Sequence, residues 1–284
     1  MKKLVAFLVG SVISTSALMA QAESDKDANG YNHLSIKKIH ASDIMYKKTV
    51  TRALDLRELQ NLPLFSQGKQ ITKLIIEAVN EGVLTPYSTD SLDGGTKLTV
   101  EEFKKRIELP STNVAPVDDG GGWDDDAFGD NTAEDAEPSA PVANYFFPQD
   151  LYQMEIKEDL IFDKQRSVLY YDIISFTFKI PADHPDNIKG IEVPIASFSY
   201  KELVEKVFPN NPDAVWYNPM NDSEHHNLAD AFELRLFSSY IIKVSNPNNE
   251  YLTDTYGGDP RTGIMASQWK AFELLEYEHN LWEF

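Results

Sequence analysis

The alternation of apolar and polar residues along this chain changes period several times, and each change predicts an element. Ile174, Phe176, Phe178 and Ile180 alternate with Ser175, Thr177 and Lys179, a period of two that predicts a strand with one buried face. Ile156 to Phe162 is another apolar run, and Asp163-Lys164-Gln165-Arg166 between the two reads as the turn of a hairpin. Val193 to Phe198 and Tyr240 to Val244 read as further strands, and Val215 and Trp216 as extended. Asp43 to Phe65 is strand-like and then turn-like, ending at Leu62-Pro63-Leu64.

Elsewhere the period is that of a helix. Ile71, Leu74, Ile75, Ala78 and Val79 share one face, and Gly82 supplies a left-handed stop, with a short extended piece from Val83 to Tyr87 behind it. Thr99 and Glu102 have capping-box spacing ahead of Phe103 and Ile107, in a helix that ends before Pro110. Ser199 and Glu202 repeat that spacing before Leu203, Val204, Val207 and Phe208, and Leu228 to Leu236 is helical. The last helix, Gly263 to His279, carries Met265, Trp269, Phe272 and Leu275 on one face, and Trp269 and Phe272 read as core. Strands and helices mix without a regular βαβ alternation. The class is therefore α+β, a mixed sheet with several short helices, in two folded regions joined by an acidic disordered linker.

Two stretches fall outside this patterning. Residues 1–22 carry Lys2 and Lys3, an apolar run from Leu4 to Ile13 and an Ala20-Gln21-Ala22 exit, the form of a secretory signal peptide. Export then leaves a soluble mature chain of 262 residues (284 less 22) with no membrane insertion of its own. Residues 117–142 hold Asp118-Asp119-Gly120-Gly121-Gly122-Trp123-Asp124-Asp125-Asp126 and further acids, too poor in apolar surface to offset the entropy of ordering. They read as a disordered linker in which only Trp123 and Phe128 stand out as aromatic. The domain plan is thus signal peptide 1–22, an N-terminal α/β region 23–116, linker 117–142 and a C-terminal α+β domain 143–284.

The charge is unevenly placed. Residues 23–110 balance 13 acids with 13 bases, residues 118–137 hold nine acids and no base, and residues 141–284 hold 23 acids against 11 bases. Such a chain repels phosphate backbones and anionic membrane surfaces, which argues against nucleic acid as a partner. Cysteine is absent, which excludes disulfides, thiolate catalysis, thiolate metal sites and lipid attachment through cysteine.

Candidate chemistry is sparse. Asp222, Glu224, His225, His226 and Asp230 cluster, but adjacent histidines point apart on a helix or strand, and the helical pair of histidines four apart around a glutamate is missing. A metal-dependent hydrolase using Asp222, His225, His226 and Asp230 is the enzyme alternative. With Asp124 at position 1 of a calcium loop, Phe128 falls at position 5 and Asp135 at position 12, so the pattern fails at its ligands. No nucleophile elbow or phosphate-binding glycine loop occurs, and Glu276 and Glu278 read as a solvated helix end. The reading is a protein with no catalytic residues, no cofactor and no bound metal. What stands out instead is aromatic: Trp216-Tyr217-Asn218 in a loop-rich stretch, and Trp282 and Phe284 at the end of the chain, residues of the kind that anchor protein interfaces. A glycan-binding module using Trp216, Tyr217 and Asn218 is the binding alternative.

The order of several segments resembles a known family. Asp43-Ile44-Met45-Tyr46-Lys47-Lys48 leads to Arg52-Ala53-Leu54-Asp55-Leu56-Arg57-Glu58 and Asn61-Leu62-Pro63. Glu81-Gly82-Val83-Leu84-Thr85-Pro86-Tyr87 follows, and later Asp230-Ala231-Phe232-Glu233-Leu234-Arg235, Ser238-Ser239-Tyr240-Ile241 and Val244-Ser245-Asn246-Pro247. Together these resemble the GldN, or PorN, family of gliding motility proteins of the type IX secretion system of the Bacteroidota. The resemblance implies a periplasmic structural subunit at the inner face of the outer membrane. It implies assembly into a ring with copies of itself and a GldK/PorK-type lipoprotein, and a connection to the GldM/PorM-type shaft of an inner-membrane motor. It brings no catalytic residues.

Overall fold

The computed structural model describes residues 29–109 and 145–281. The signal peptide, the linker with Trp123 and Phe128, and Trp282 and Phe284 lie outside the described residues.

The elements run β1 (Ile44–Asp55), α1 (Ile71–Asn80), β2 (Pro86–Tyr87), α2 (Val100–Ile107), β3 (Gln153–Asp163), β4 (Val168–Ile180), β5 (Val193–Ser199), α3 (Tyr200–Glu202) continuing into a π turn (Leu203–Val207), β6 (Val215–Trp216), β7 (His226–Asn227), α4 (Leu228–Glu233), β8 (Tyr240–Val244), α5 (Leu252–Thr255) and α6 (Pro260–Leu281). Six strands form one sheet in the order β2-β5-β4-β3-β1-β8, every neighbouring pair antiparallel. β6 and β7 form a separate ribbon. The class is α+β, as the mixed periodicities predict.

β1 lies between β3 and β8, so residues on both sides of the acidic segment build a single sheet. Ile44 to Asp55 pairs with Asp163 to Gln153, and Val50 to Ala53 also pairs with Val244 to Tyr240. The predicted β3–β4 hairpin forms around Asp163, whose Oδ1 accepts from the backbone of Gln165 at 2.8 Å.

The main core lies on one sheet face. Leu74, Ile75 and Val79 of α1, Phe103 of α2, Leu203 and Phe208 near the π turn and Phe232 of α4 pack onto Ile156, Phe176, Phe178 and Phe198. A smaller cluster of Val50, Leu160, Ile241, Val244, Leu252 and Ala266 seats α5 and α6. Helix ends follow the sequence closely at two places. Gly82, at φ +74°, closes α1 as its N–H reaches Val79 and that of Val83 reaches Ala78, the paired bonds of a left-handed helix stop. Thr99 and Glu102 cap α2 reciprocally, with Thr99 N–H to Glu102 at 2.9 Å.

Three expectations are corrected. The alternation in β4 is broken by a bulge opposite Lys157 and Glu158, so Ile173 joins Phe176 in the main core while Ile174 meets Tyr87 and Leu92 in another cluster. The other face of β4 is not solvated either: Ser175 and Thr177 are buried, and the Thr177 and Ser197 hydroxyls bond at 2.7 Å. Ser199 makes no cap, because Glu202 accepts from the backbone of Thr85 instead. Finally, Trp269 and Phe272 are not core but exposed.

The sheet also buries charge. Asp159 and Asp172 are cross-strand partners; Asp159 is held by Thr49 at 2.6 Å and Lys47 at 2.8 Å, whereas Asp172 Oδ2 is buried with no hydrogen-bond partner among the described residues. Burial, reinforced by the Asp159 charge, pushes the Asp172 carboxyl up from 3.8 to about 6, against the opposing pull of Ser35, Lys37 and Lys47. The folded state thus holds a proton that the unfolded chain has lost, so stability falls as pH rises from about 4 to about 6. Asp172→Asn is expected to be the more stable protein at pH 7.5 by up to about 3 kcal/mol, the difference closing by pH 4. Urea unfolding of both proteins at the two pH values checks this; equal midpoints at pH 7.5 would contradict it.

Candidate partner interface

The loop singled out by its aromatic residues is built on the β6–β7 ribbon. Trp216 pairs with His226 across it, their rings 5.8 Å apart, and packs half-buried against the main core. Tyr217 donates its N–H to Pro63 at 3.2 Å and stacks on the His225 ring at 4.9 Å, leaving its outer face exposed. Asn218 donates its N–H to His225 Nδ1 at 3.1 Å and accepts from the backbone of Met220 at 3.0 Å. These contacts tie the loop to its neighbours and leave Tyr217 and Met220 exposed to solvent.

They also separate the polar cluster. His225 and His226 sit on different partners, Tyr217 and Trp216, as opposite faces of an extended segment require. Asp222 accepts from the Tyr217 hydroxyl at 3.4 Å, Glu224 from Asn221 at 3.2 Å, and Asp230 belongs to the first turn of α4. Among the described residues no three or more of His, Cys, Asp and Glu come together so as to hold a metal ion.

A run of exposed apolar residues lies on α6, where Trp269 is 69% and Phe272 is 70% exposed and Ile264, Met265 and Leu275 are each more than half exposed. The helix is anchored by its opposite side. Ala266 and Ser267 are buried, Leu274 packs against the smaller cluster with Tyr171, and Tyr277 lies against Tyr46 with ring centroids 4.5 Å apart. Burial, then Tyr277 and Glu273, push the Tyr46 hydroxyl up. A cleft of about 570 Å³ runs between α6 and the Ser245–Glu250 loop, lined by Lys48, Glu250, Lys270 and Glu273. Periodicity did group Met265, Trp269, Phe272 and Leu275 on one face; which face meets the sheet was decided by the small pair Ala266 and Ser267, which lets the helix lie close.

Most of the loop's polar groups bond to one another, although Trp216 Nε1 is buried without a hydrogen-bond partner among the described residues, and the apolar residues of α6 face outward. Among the described residues, no helix is long and apolar enough to cross a membrane. The family model described as gliding motility associated protein GldN matches residues 39–283. No curated protein matches the chain.

Proposed function

The chain belongs to the family of gliding motility associated proteins GldN, and on that premise we propose that it is a ring-forming structural adaptor of the type IX secretion machinery. The family carries association with gliding motility and type IX secretion. In the proposed reading the exported chain works in the periplasm, at the inner face of the outer membrane. There it assembles with copies of itself and a GldK/PorK-type lipoprotein, and meets a GldM/PorM-type shaft. Its work is mechanical: it holds the lipoprotein in register and passes position or motion toward the export channel.

The observation that supports this best is the match of the GldN family model over residues 39–283, on a chain whose described histidines and acids gather into no cluster that could hold a metal ion. With no cysteine to carry a lipid and no spanning helix among the described residues, a lipoprotein partner would hold the chain at one membrane. Tyr217 and Asn218 at the loop rim, with Trp216 bracing them from beneath, and Trp282 and Phe284 at the C-terminus are the further proposed contact residues.

Affinity purification of the exported chain from its own cells tests the assignment. The expected result is a very large assembly containing a lipoprotein in stoichiometric amount. Recovery as an isolated monomer with no lipoprotein would overturn it.

A further inference from the structure

The charges of α6 run against its own dipole. Arg261 and Lys270 lie in its first half, whereas Glu273, Glu276 and Glu278 all lie in its second half. An isolated helix prefers the reverse, with acids near its N-terminus and bases near its C-terminus, by roughly 0.3–1 kcal/mol per charge. Asp259, immediately before the helix, His279 in its last turn and the internal Lys270–Glu273 pair at 2.6 Å offset part of this, but Arg261 lies too far along the helix to reach Glu276 or Glu278 of its own copy. Glu276 and Glu278 flank the apolar face, lining a shallow concavity with Phe272 and Leu275.

Turned end for end, the same helix is its own complement. A second α6 laid antiparallel across Trp269 and Phe272 brings each Arg261 to the Glu276 and Glu278 end of the other copy. It also sets the two dipoles head to tail. A parallel pair would place glutamates against glutamates. The five exposed apolar side chains run along one side of the helix between Ile264 and Leu275, an apolar stripe of the kind that marks an interaction site. The chain's own acidic linker is the wrong occupant, since its nine acids without a base would face these same glutamates.

We propose that the exposed face of α6 is a two-fold contact between two copies of this chain, packed antiparallel with the axis passing between Trp269 and Phe272. It is an isologous contact, and so separate from the head-to-tail contacts that a ring needs. It requires no lipoprotein, which separates its test from that of the proposed function.

The chain has no cysteine, so an introduced thiol is the only one present. Purified Phe272→Cys, treated with a short bis-maleimide, is expected to cross-link as a dimer, while Ile188→Cys, exposed in the β4–β5 loop, is not. Trp269→Asp with Phe272→Asp is expected to give a monomeric mass by light scattering with an unchanged circular dichroism spectrum. Arg261→Glu should weaken the dimer about tenfold, and adding Glu276→Lys should restore it. A monomeric wild-type protein at every concentration overturns the proposal. So does a dimer that cross-links no better through position 272 than through 188, or a stripe that becomes shielded only when the lipoprotein is added.

Discussion

Phe176→Ala is expected to lower the unfolding free energy by about 3–5 kcal/mol, a large part of the roughly 5–15 kcal/mol that holds a typical domain together. The residue sits in β4, near the middle of the sheet, with its ring fully buried. Phe232 and Tyr200 lie 4.8 and 5.2 Å from it, and through Phe232 it is linked to Phe237 at 5.4 Å. Truncation therefore loses the transfer energy of a whole ring and leaves a cavity walled by elements that cannot collapse together. The sheet below is fixed by ladders on both sides, and α4 above is tied down by the cap of Asn227 on Ala229 at 2.9 Å. Phe176→Leu should cost distinctly less, because most of the volume is kept. Urea midpoints with unchanged slopes would register both effects. A loss below about 1 kcal/mol for the alanine variant would mean that the ring does not sit at the centre of the core.

How much of this was legible in the sequence divides along physical lines. Local chemistry was readable wherever partners are a few residues apart: Thr99 with Glu102, Gly82 behind α1, and the turn at Asp163 all formed as their spacing predicts. Competition from distant groups was not readable. Ser199 and Glu202 have the same spacing as Thr99 and Glu102, but Glu202 is captured by the Thr85 backbone, more than a hundred positions away. The β4 bulge was hidden for a related reason, since a slip in pairing is set by both strands and shows in neither alone. The α6 face is the instructive case. A helical period says which residues share a side, but the choice between sheet and solvent for that side belongs to the surface being met. Here Ala266, Ser267, Leu274 and Tyr277 fit the ledge of Val50, Ile241 and Tyr46, and the larger residues were left outside. The stretch from Trp216 to Asn218 leaves β6 at Trp216, as its extended reading predicts, and the tryptophan packs against the main core beneath the loop.

Glu158→Ala is expected to cost about 3–5 kcal/mol, although the only apolar group it removes is one methylene. Glu158 is fully buried in β3 and is shared by two arginines. Arg52 of β1 meets Oε1, and Arg235 meets Oε2 at 2.7 Å. Arg235 stands just past the end of α4 with φ +55°, a left-handed conformation that disfavours a residue with a side chain by roughly 1 kcal/mol. Glycine is the residue such a position usually takes, so the guanidinium must return more than the backbone loses. It does so through Glu158 and through the Tyr171 ring, 4.4 Å from the guanidinium. Without the carboxylate, two guanidinium groups, both mostly screened from solvent, repel each other across the space that Glu158 filled. Arg235→Gly should be milder, because relief of the backbone offsets part of the loss and Arg52 still neutralises Glu158. A double-mutant cycle on Glu158 and Arg235 should show coupling of about 1–3 kcal/mol. Additive effects would instead mean that the carboxylate is held by Arg52 alone and that the strained turn after α4 is kept for some other contact.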